Sequence, residues 1–174
     1  FSMNKASQEL PLKEGNAFRQ VVKCYEQKQY KKGVKTADGI LKNFPDHGET
    51  LAMKGLLLNS MDKKDEAREL VKKGLRMNLR SHVCWHVFGL LYRSERNYPE
   101  AIKSYINALR HDKENLQILR DLSLLQVHVR DYDGFQETRA TLLRLKGTMK
   151  SNWVSLSIAY YLLGQMDAAS NILA

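Results

Sequence analysis

Trp85-His86-Val87-Phe88-Gly89-Leu90-Leu91-Tyr92, followed by Ala101, Tyr105 and Ala108, is the stretch on which the fold of this 174-residue chain turns. Large rings alternate with small residues at fixed distances, a pattern that lets two helices approach closely while the rings fill space against a further neighbour. Shifted by 34 residues in either direction the pattern persists. Gly55 precedes Gly89, Ala67 precedes Ala101 and Gly74 precedes Ala108, while Trp153 and Ala169 stand two periods, 68 residues, after Trp85 and Ala101. One more step back places Gly33 at the Ala101 position and Pro45 at the closing turn. A fixed period of this length marks a repeat array.

The register is that of the tetratricopeptide repeat (TPR), whose landmarks W-x2-L-G-x2-Y…A-x3-F…A are each met by the expected residue or a close relative. The predicted fold is all-α, a right-handed α-α superhelix (TPR solenoid) of about five helical hairpins, the last incomplete. The paired helices are placed at 15–27 and 31–44, 49–61 and 65–78, 83–95 and 99–112, 117–129 and 133–146, and 151–163 and 167–174. The repeats themselves run over 14–47, 48–81, 82–115, 116–149 and 150–174, within a single solenoid spanning 12–174. Phe1-Ser2-Met3 and the residues to 11 read as a vector-derived scar and leader. Because the sequence stops inside a B helix without a polar capping helix, a longer parent chain is expected.

Punctuation agrees with this placement. Asn43-Phe44-Pro45-Asp46 closes the first pair, and Asn97-Tyr98-Pro99-Glu100 opens a helix with proline in its first turn. The fourth repeat departs from the pattern, with Ser123 at the Gly89 position and Phe135 at the Ala101 position. A ring there should force the hairpin apart or redirect its packing, giving a distorted crossing.

Hydrophobic residues make up 43% and charged residues 27%, which suits a packed soluble chain and excludes disorder. Apolar runs such as Gly55-Leu56-Leu57-Leu58 fall far short of the roughly 20 residues that span a bilayer, so no membrane partner is expected. Cys24 and Cys84 form neither a CxxC pair nor a disulfide framework, which fits a reducing compartment such as the cytoplasm.

His82, Cys84 and His86 invite a metal reading, since the two histidines stand at i, i+4. They lack the glutamate of HExxH and a third ligand, and Cys84 points elsewhere on the helix. No group is placed to activate either cysteine, and no glycine-rich phosphate cradle occurs. Catalytic residues: none; metal: none; cofactors: none. Binding is the remaining class.

A TPR array offers a concave groove lined mainly by A helices. The inward positions are Phe18, Val22 and Tyr25; Ala52, Leu56 and Asn59; His86, Leu90 and Arg93; Arg120, Leu124 and Val127; and Val154, Ile158 and Tyr161. This mostly apolar lining suits a helix or extended segment of a protein partner, the reading of a generic interaction adaptor. The positions that grip a peptide carboxylate in chaperone-binding TPR domains hold Gly15, Arg19, Met53, Val83 and Val87, which disfavours that mode.

The net charge of +9 is unevenly spread, with 17 Lys+Arg against 10 Asp+Glu in residues 1–87 and 11 against 9 in residues 88–174. Lys42, Arg76, Arg110 and Arg144 recur at intervals of 34, which sets cations at B-helix C-termini, where they complement the dipole. Two clusters exceed that need: Lys28, Lys31, Lys32 and Lys35, and Lys63, Lys64, Arg68, Lys72, Lys73 and Arg76. They are the candidates for phosphate contact, a salt-sensitive attachment that reads no bases.

Three stretches, His47 to Leu56, Ser81 to Ser94 and Asn115 to Gln126, resemble the N-terminal TPR region of the large auxiliary subunit of NatA, the eukaryotic N-terminal acetyltransferase complex. The resemblance extends from about Leu12 to the end and includes Arg130-Asp131-Tyr132-Asp133-Gly134-Phe135 of the unusual fourth repeat. It implies a non-catalytic scaffold whose partners are a separate GNAT-fold catalytic subunit, held mainly by regions beyond this fragment, and the ribosome. On that reading the chain is cytoplasmic and ribosome-associated. The Lys28–Lys35 and Lys63–Arg76 clusters become candidates for ribosomal RNA contact.

Overall fold

A computed structural model describes residues 9–174, so most of the expected leader, residues 1–8, lies outside the described residues. The described residues form ten helices: α1 Leu12–Glu26, α2 Tyr30–Asn43, α3 Gly48–Asn59, α4 Lys64–Met77, α5 His82–Ser94, α6 Tyr98–His111, α7 Leu116–His128, α8 Tyr132–Leu145, α9 Lys150–Leu162 and α10 Met166–Asn171. All ten predicted helices are present. Second helices start at Tyr30, Lys64, Tyr98, Tyr132 and Met166, each 34 residues after the last, and from α3 onward the first helices keep the same spacing. The all-α TPR-type fold is therefore as the sequence reads it.

Local chemistry repeats with the same period. His47, Ser81 and Asn115 cap α3, α5 and α7, each accepting from the amide three residues on, at 3.2, 3.2 and 3.1 Å. Met149 holds the same place before α9 and makes no side-chain cap bond. Trp85 Nε1 donates to Leu79 O at 2.9 Å, and Trp153 Nε1 repeats the bond to Gly147 O at 2.6 Å.

Each hairpin turns through one residue in the left-handed region: Lys28, Asp62, Arg96, Arg130 and Gly164, with φ of 58°, 63°, 60°, 63° and 74°. The next amide, that of Gln29, Lys63, Asn97, Asp131 or Gln165, donates back to the carbonyl of Cys24, Leu58, Tyr92, Gln126 or Tyr160, at 2.8 to 3.0 Å. This is the Schellman closure, which glycine usually fills. Here only the last of the five is glycine. The other four accept a steric cost of about 1 kcal/mol each, and two of the four are set in basic surface.

The chain divides after His111 into two compact units. In the first, α3 is packed by α1, α2, α4 and α5, which buries Leu51, Ala52, Met53, Leu56, Leu57 and Leu58 around nearly its whole circumference. Its pairing with α4 is tight because of glycine. A Cβ on Gly74 would lie 2.5 Å from Gly48 O and 2.8 Å from Ala52 N, so the two backbones touch there. Arg68 to Glu95, Lys54 to Asp38 and Asn59 to Ser94 tie neighbouring hairpins at 2.7, 2.8 and 3.0 Å.

In the second unit, from Asp112 on, Phe135 is buried in a cluster with Leu156 and Ala159 of α9, against which Val127 of α7 also packs. The ring thus joins its own hairpin to α9. Helices α7 and α8 also meet where Gly134 lies against Gln126 and where Thr138 Oγ1 donates to Gln126 Oε1 at 2.8 Å.

Candidate nucleic-acid interface

The basic clusters lie in the first unit, on faces that the hairpin geometry leaves outside the core. Helix α2 buries Gly33, Ala37 and Ile40, so Lys31, Lys32 and Lys35 fall on exposed surface. The turn at Lys28 carries the first cluster to the next hairpin: Lys28, Gln29, Tyr30, Lys31 and Lys32 line one open cleft with Met61 of the α3–α4 turn. Lys63 and Lys64 follow directly after that turn and are also exposed. The two clusters thus begin at successive hairpin turns, and the cleft of the first reaches the turn that precedes the second.

On α4, burial of Ala67, Val71, Gly74 and Leu75 puts Arg68, Lys72, Lys73 and Arg76 on the opposite, exposed side. They are not equivalent. Arg68 Nη2 and Nε reach Glu95 Oε1 at 2.7 and 3.2 Å, and that carboxylate raises the guanidinium pKa further. Its charge is thus spent on joining α4 to the α5–α6 turn. Lys64 faces Asp62 at 3.6 Å and Lys72 faces Glu69 at 3.9 Å, weak surface pairs. Within the two clusters, Lys28, Lys31, Lys32, Lys35, Lys63, Lys73 and Arg76 are exposed and make none of these pairs.

The 34-residue cation series also takes the expected place. Lys42, Arg76, Arg110 and Arg144 stand in the last turns of α2, α4, α6 and α8. There they complement the carbonyl ends of the helices.

The groove candidates separate on burial. Phe18, Val22, Tyr25, His86, Leu90 and Arg93 are half-buried, and Leu124 is 55% exposed. Leu56 is a correction: at 2% exposure it belongs to the core between hairpins and presents no surface to a partner. Its i, i+4 spacing looks the same in sequence whether a helix borders a groove or is enclosed on all sides, as α3 is. Cys84 is likewise enclosed, its thiol pushed up to about 12 by burial, with Sγ 3.7 Å from Gly74 O. That is the state of a packing residue and not of a nucleophile.

Two features escaped the sequence reading. The left-handed turn residues carry no glycine signal except at Gly164, although their 34-residue spacing is visible once one is known. Arg139 on α8 occupies the position 34 residues after the buried Tyr105, an offset that would have marked it.

Known proteins resemble the chain over nearly its whole length. The profile of the family described as "Psidin, N-terminal TPR repeats region" matches residues 17–171. The Mus musculus protein "N-alpha-acetyltransferase 16, NatA auxiliary subunit" is 58% identical over 167 residues, 95% of this chain and 19% of that protein. The Arabidopsis thaliana "N-terminal acetyltransferase A complex auxiliary subunit NAA15" is 60% identical over 164 residues, 94% of this chain and 18% of that protein. The chain thus spans about a fifth of the length of these curated relatives. Among solved structures, "Structure of Naa15/Naa10 bound to HypK-THB" aligns with a TM-score of 0.82 at 46% identity, covering 92% of this chain and 24% of that one. A crystal structure of MamA aligns with a TM-score of 0.68 at 18% identity over 92% of this chain and 87% of that one, which shows the fold alone.

Proposed function

This chain belongs to the Psidin N-terminal TPR repeats family, and from that premise we propose that it serves as a ribosome-facing part of a NatA auxiliary subunit. The subunit is a non-catalytic scaffold. Catalysis rests with a separate GNAT-fold subunit, as the pairing of Naa15 with Naa10 in the related structure supports. The complex then works in the cytoplasm on nascent chains at the ribosome.

The observation that carries the ribosome assignment is that the two lysine clusters begin at successive hairpin turns, the first in a cleft that reaches the second turn at Met61. Lys28, Lys31 and Lys32 share a cleft with Met61, next to Lys63 and Lys64, and α4 turns Lys72, Lys73 and Arg76 outward beside Arg68. Phosphate contacts position a protein without demanding base recognition, which suits attachment to the irregular surface of ribosomal RNA.

Cosedimentation of the chain with ribosomes tests the proposal. With five or so phosphates neutralised, affinity should fall by about two to three orders of magnitude between 50 and 200 mM salt. Replacing Lys28, Lys31 and Lys32 together by glutamate should weaken binding and flatten the salt slope, as should the triple change at Lys72, Lys73 and Arg76. Binding that ignores both salt and these reversals sinks the assignment.

A further inference from the structure

In the third hairpin His86 of α5 and Tyr105 of α6 pack ring on ring, their centroids 5.5 Å apart. The corresponding pairs in the first two hairpins are Phe18 with Ala37 and Ala52 with Val71. Thirty-four residues after His86 and Tyr105 the fourth hairpin has Arg120 on α7 and Arg139 on α8. The α8 position is fully buried as Ala37, Val71 and Tyr105 in its predecessors. A position that is core in the earlier hairpins therefore carries a half-buried cation here.

The surroundings of Arg139 do not neutralise it. Its guanidinium lies 5.2 Å from the centroid of the Phe135 ring, which offers a π face but no hydrogen-bond acceptor. Its Nε is buried and has no hydrogen-bond partner among the described residues. Burial holds its pKa below the usual arginine value, and the charge of Arg120 adds to the depression. An orphaned buried donor beside a like charge is costly, and an arriving anion relieves both penalties at once.

The surface around the pair is apolar. Leu124 stands one turn after Arg120 on the same face of α7 and is 55% exposed. On α9, Val154 and Ile158, the period-related positions of Arg120 and Leu124, are also exposed. A polynucleotide would find no lysine row on α7 and no phenyl, phenol or indole ring there to stack upon, His128 at its last turn being the one exposed ring. An amphipathic protein segment that carries one carboxylate among leucine-like side chains fits both features.

We propose that Arg120 and Arg139 form an anion site in the fourth hairpin that receives an acidic side chain of a partner protein's apolar segment. This site is separate from the lysine clusters and stands whether or not those meet ribosomal RNA.

The test uses the whole chain with 15N-labelled arginine, reading the Nε–Hε cross-peaks of Arg120 and Arg139 by NMR. The probes are a leucine-rich helical peptide with one central glutamate, its glutamine twin, and a single-stranded oligouridylate. The glutamate peptide should shift both cross-peaks and bind about tenfold tighter than its twin. Arg139→Met, which fills the space without charge, should abolish that preference while the chain keeps its helical circular dichroism. Arg120→Gln, at an exposed position, should reduce the preference and provides the same reading should the methionine variant fail to fold. Equal binding of the twin peptides, binding of neither, an unchanged preference in both variants, or tighter engagement of the same cross-peaks by the oligouridylate would each overturn the proposal.

Discussion

His47 carries two jobs that depend on one proton. Its Nδ1 accepts from Thr50 N at 3.2 Å and meets Thr50 Oγ1 at 2.7 Å, so the cap on α3 requires the neutral ring. Burial lowers its pKa below 6.5, against the opposing pull of Glu49. A lowered value means that the unfolded chain binds the proton more readily. The cap's contribution, about 1 kcal/mol, is therefore complete above pH 6.5 and is lost as pH falls through 6.5 toward the lower folded value. Urea unfolding at pH 7.5 and 5 should show that loss, and His47→Asn, which copies the cap at Asn115, should shrink it. Gly74 offers a second residue-scale prediction. Because its missing Cβ would collide with the backbone at Gly48 and Ala52, Gly74→Ala should cost about 2 kcal/mol or more in the same measurement. Its small size was legible from the 34-residue register. The cap at His47 was not, because histidine is a rare N-cap and nothing in sequence marks its nitrogen as the acceptor.

At the scale of elements, two leucines of matching sequence position part company. Leu56 of α3 and Leu124 of α7 stand 68 residues apart, two periods, and both read as groove residues. Helix α3 is enclosed by four neighbours, and Leu56 is 2% exposed; Leu124 is 55% exposed. Leu56→Glu should unfold the first unit, since an unpaired carboxylate would be placed in its core. Leu124→Glu should leave the thermal midpoint within about 2 °C of the parent, as surface substitutions do. Equal losses from the two changes would contradict the burial seen here. Phe135 shows the same dependence on neighbours. The sequence identifies it as large for its position, but only the folded chain shows that the ring is shared between its own hairpin, at Val127, and α9.

For the molecule as a whole, each compact unit has its own core and its own tryptophan: Trp85 in the first, Trp153 in the second. Repeat proteins gain stability from within repeats and from nearest neighbours, so cooperativity need not extend along the entire chain. Trp153→Phe and Trp85→Phe variants, each leaving one reporter, should give distinct urea midpoints by fluorescence. Leu142→Ala, which empties a buried site in the second unit, should lower the Trp153 midpoint by more than the Trp85 midpoint. Coincident midpoints that move together would indicate a single cooperative unit.

By itself the sequence determined the number and spacing of the helices, the small residues at their crossings and the surplus of cations in its first half. All of these are properties of period and residue type, which survive being written on a line. The tertiary structure alone decided which cations stay available, because Arg68 meets Glu95 only after folding brings residues 27 apart together. It likewise decided that Lys28 and Met61 share a cleft, that Leu56 is enclosed, and that Arg139 faces a ring and a like charge. Exposure and charge pairing are set by whatever lies across the gap, and a periodic sequence repeats its positions without naming their neighbours.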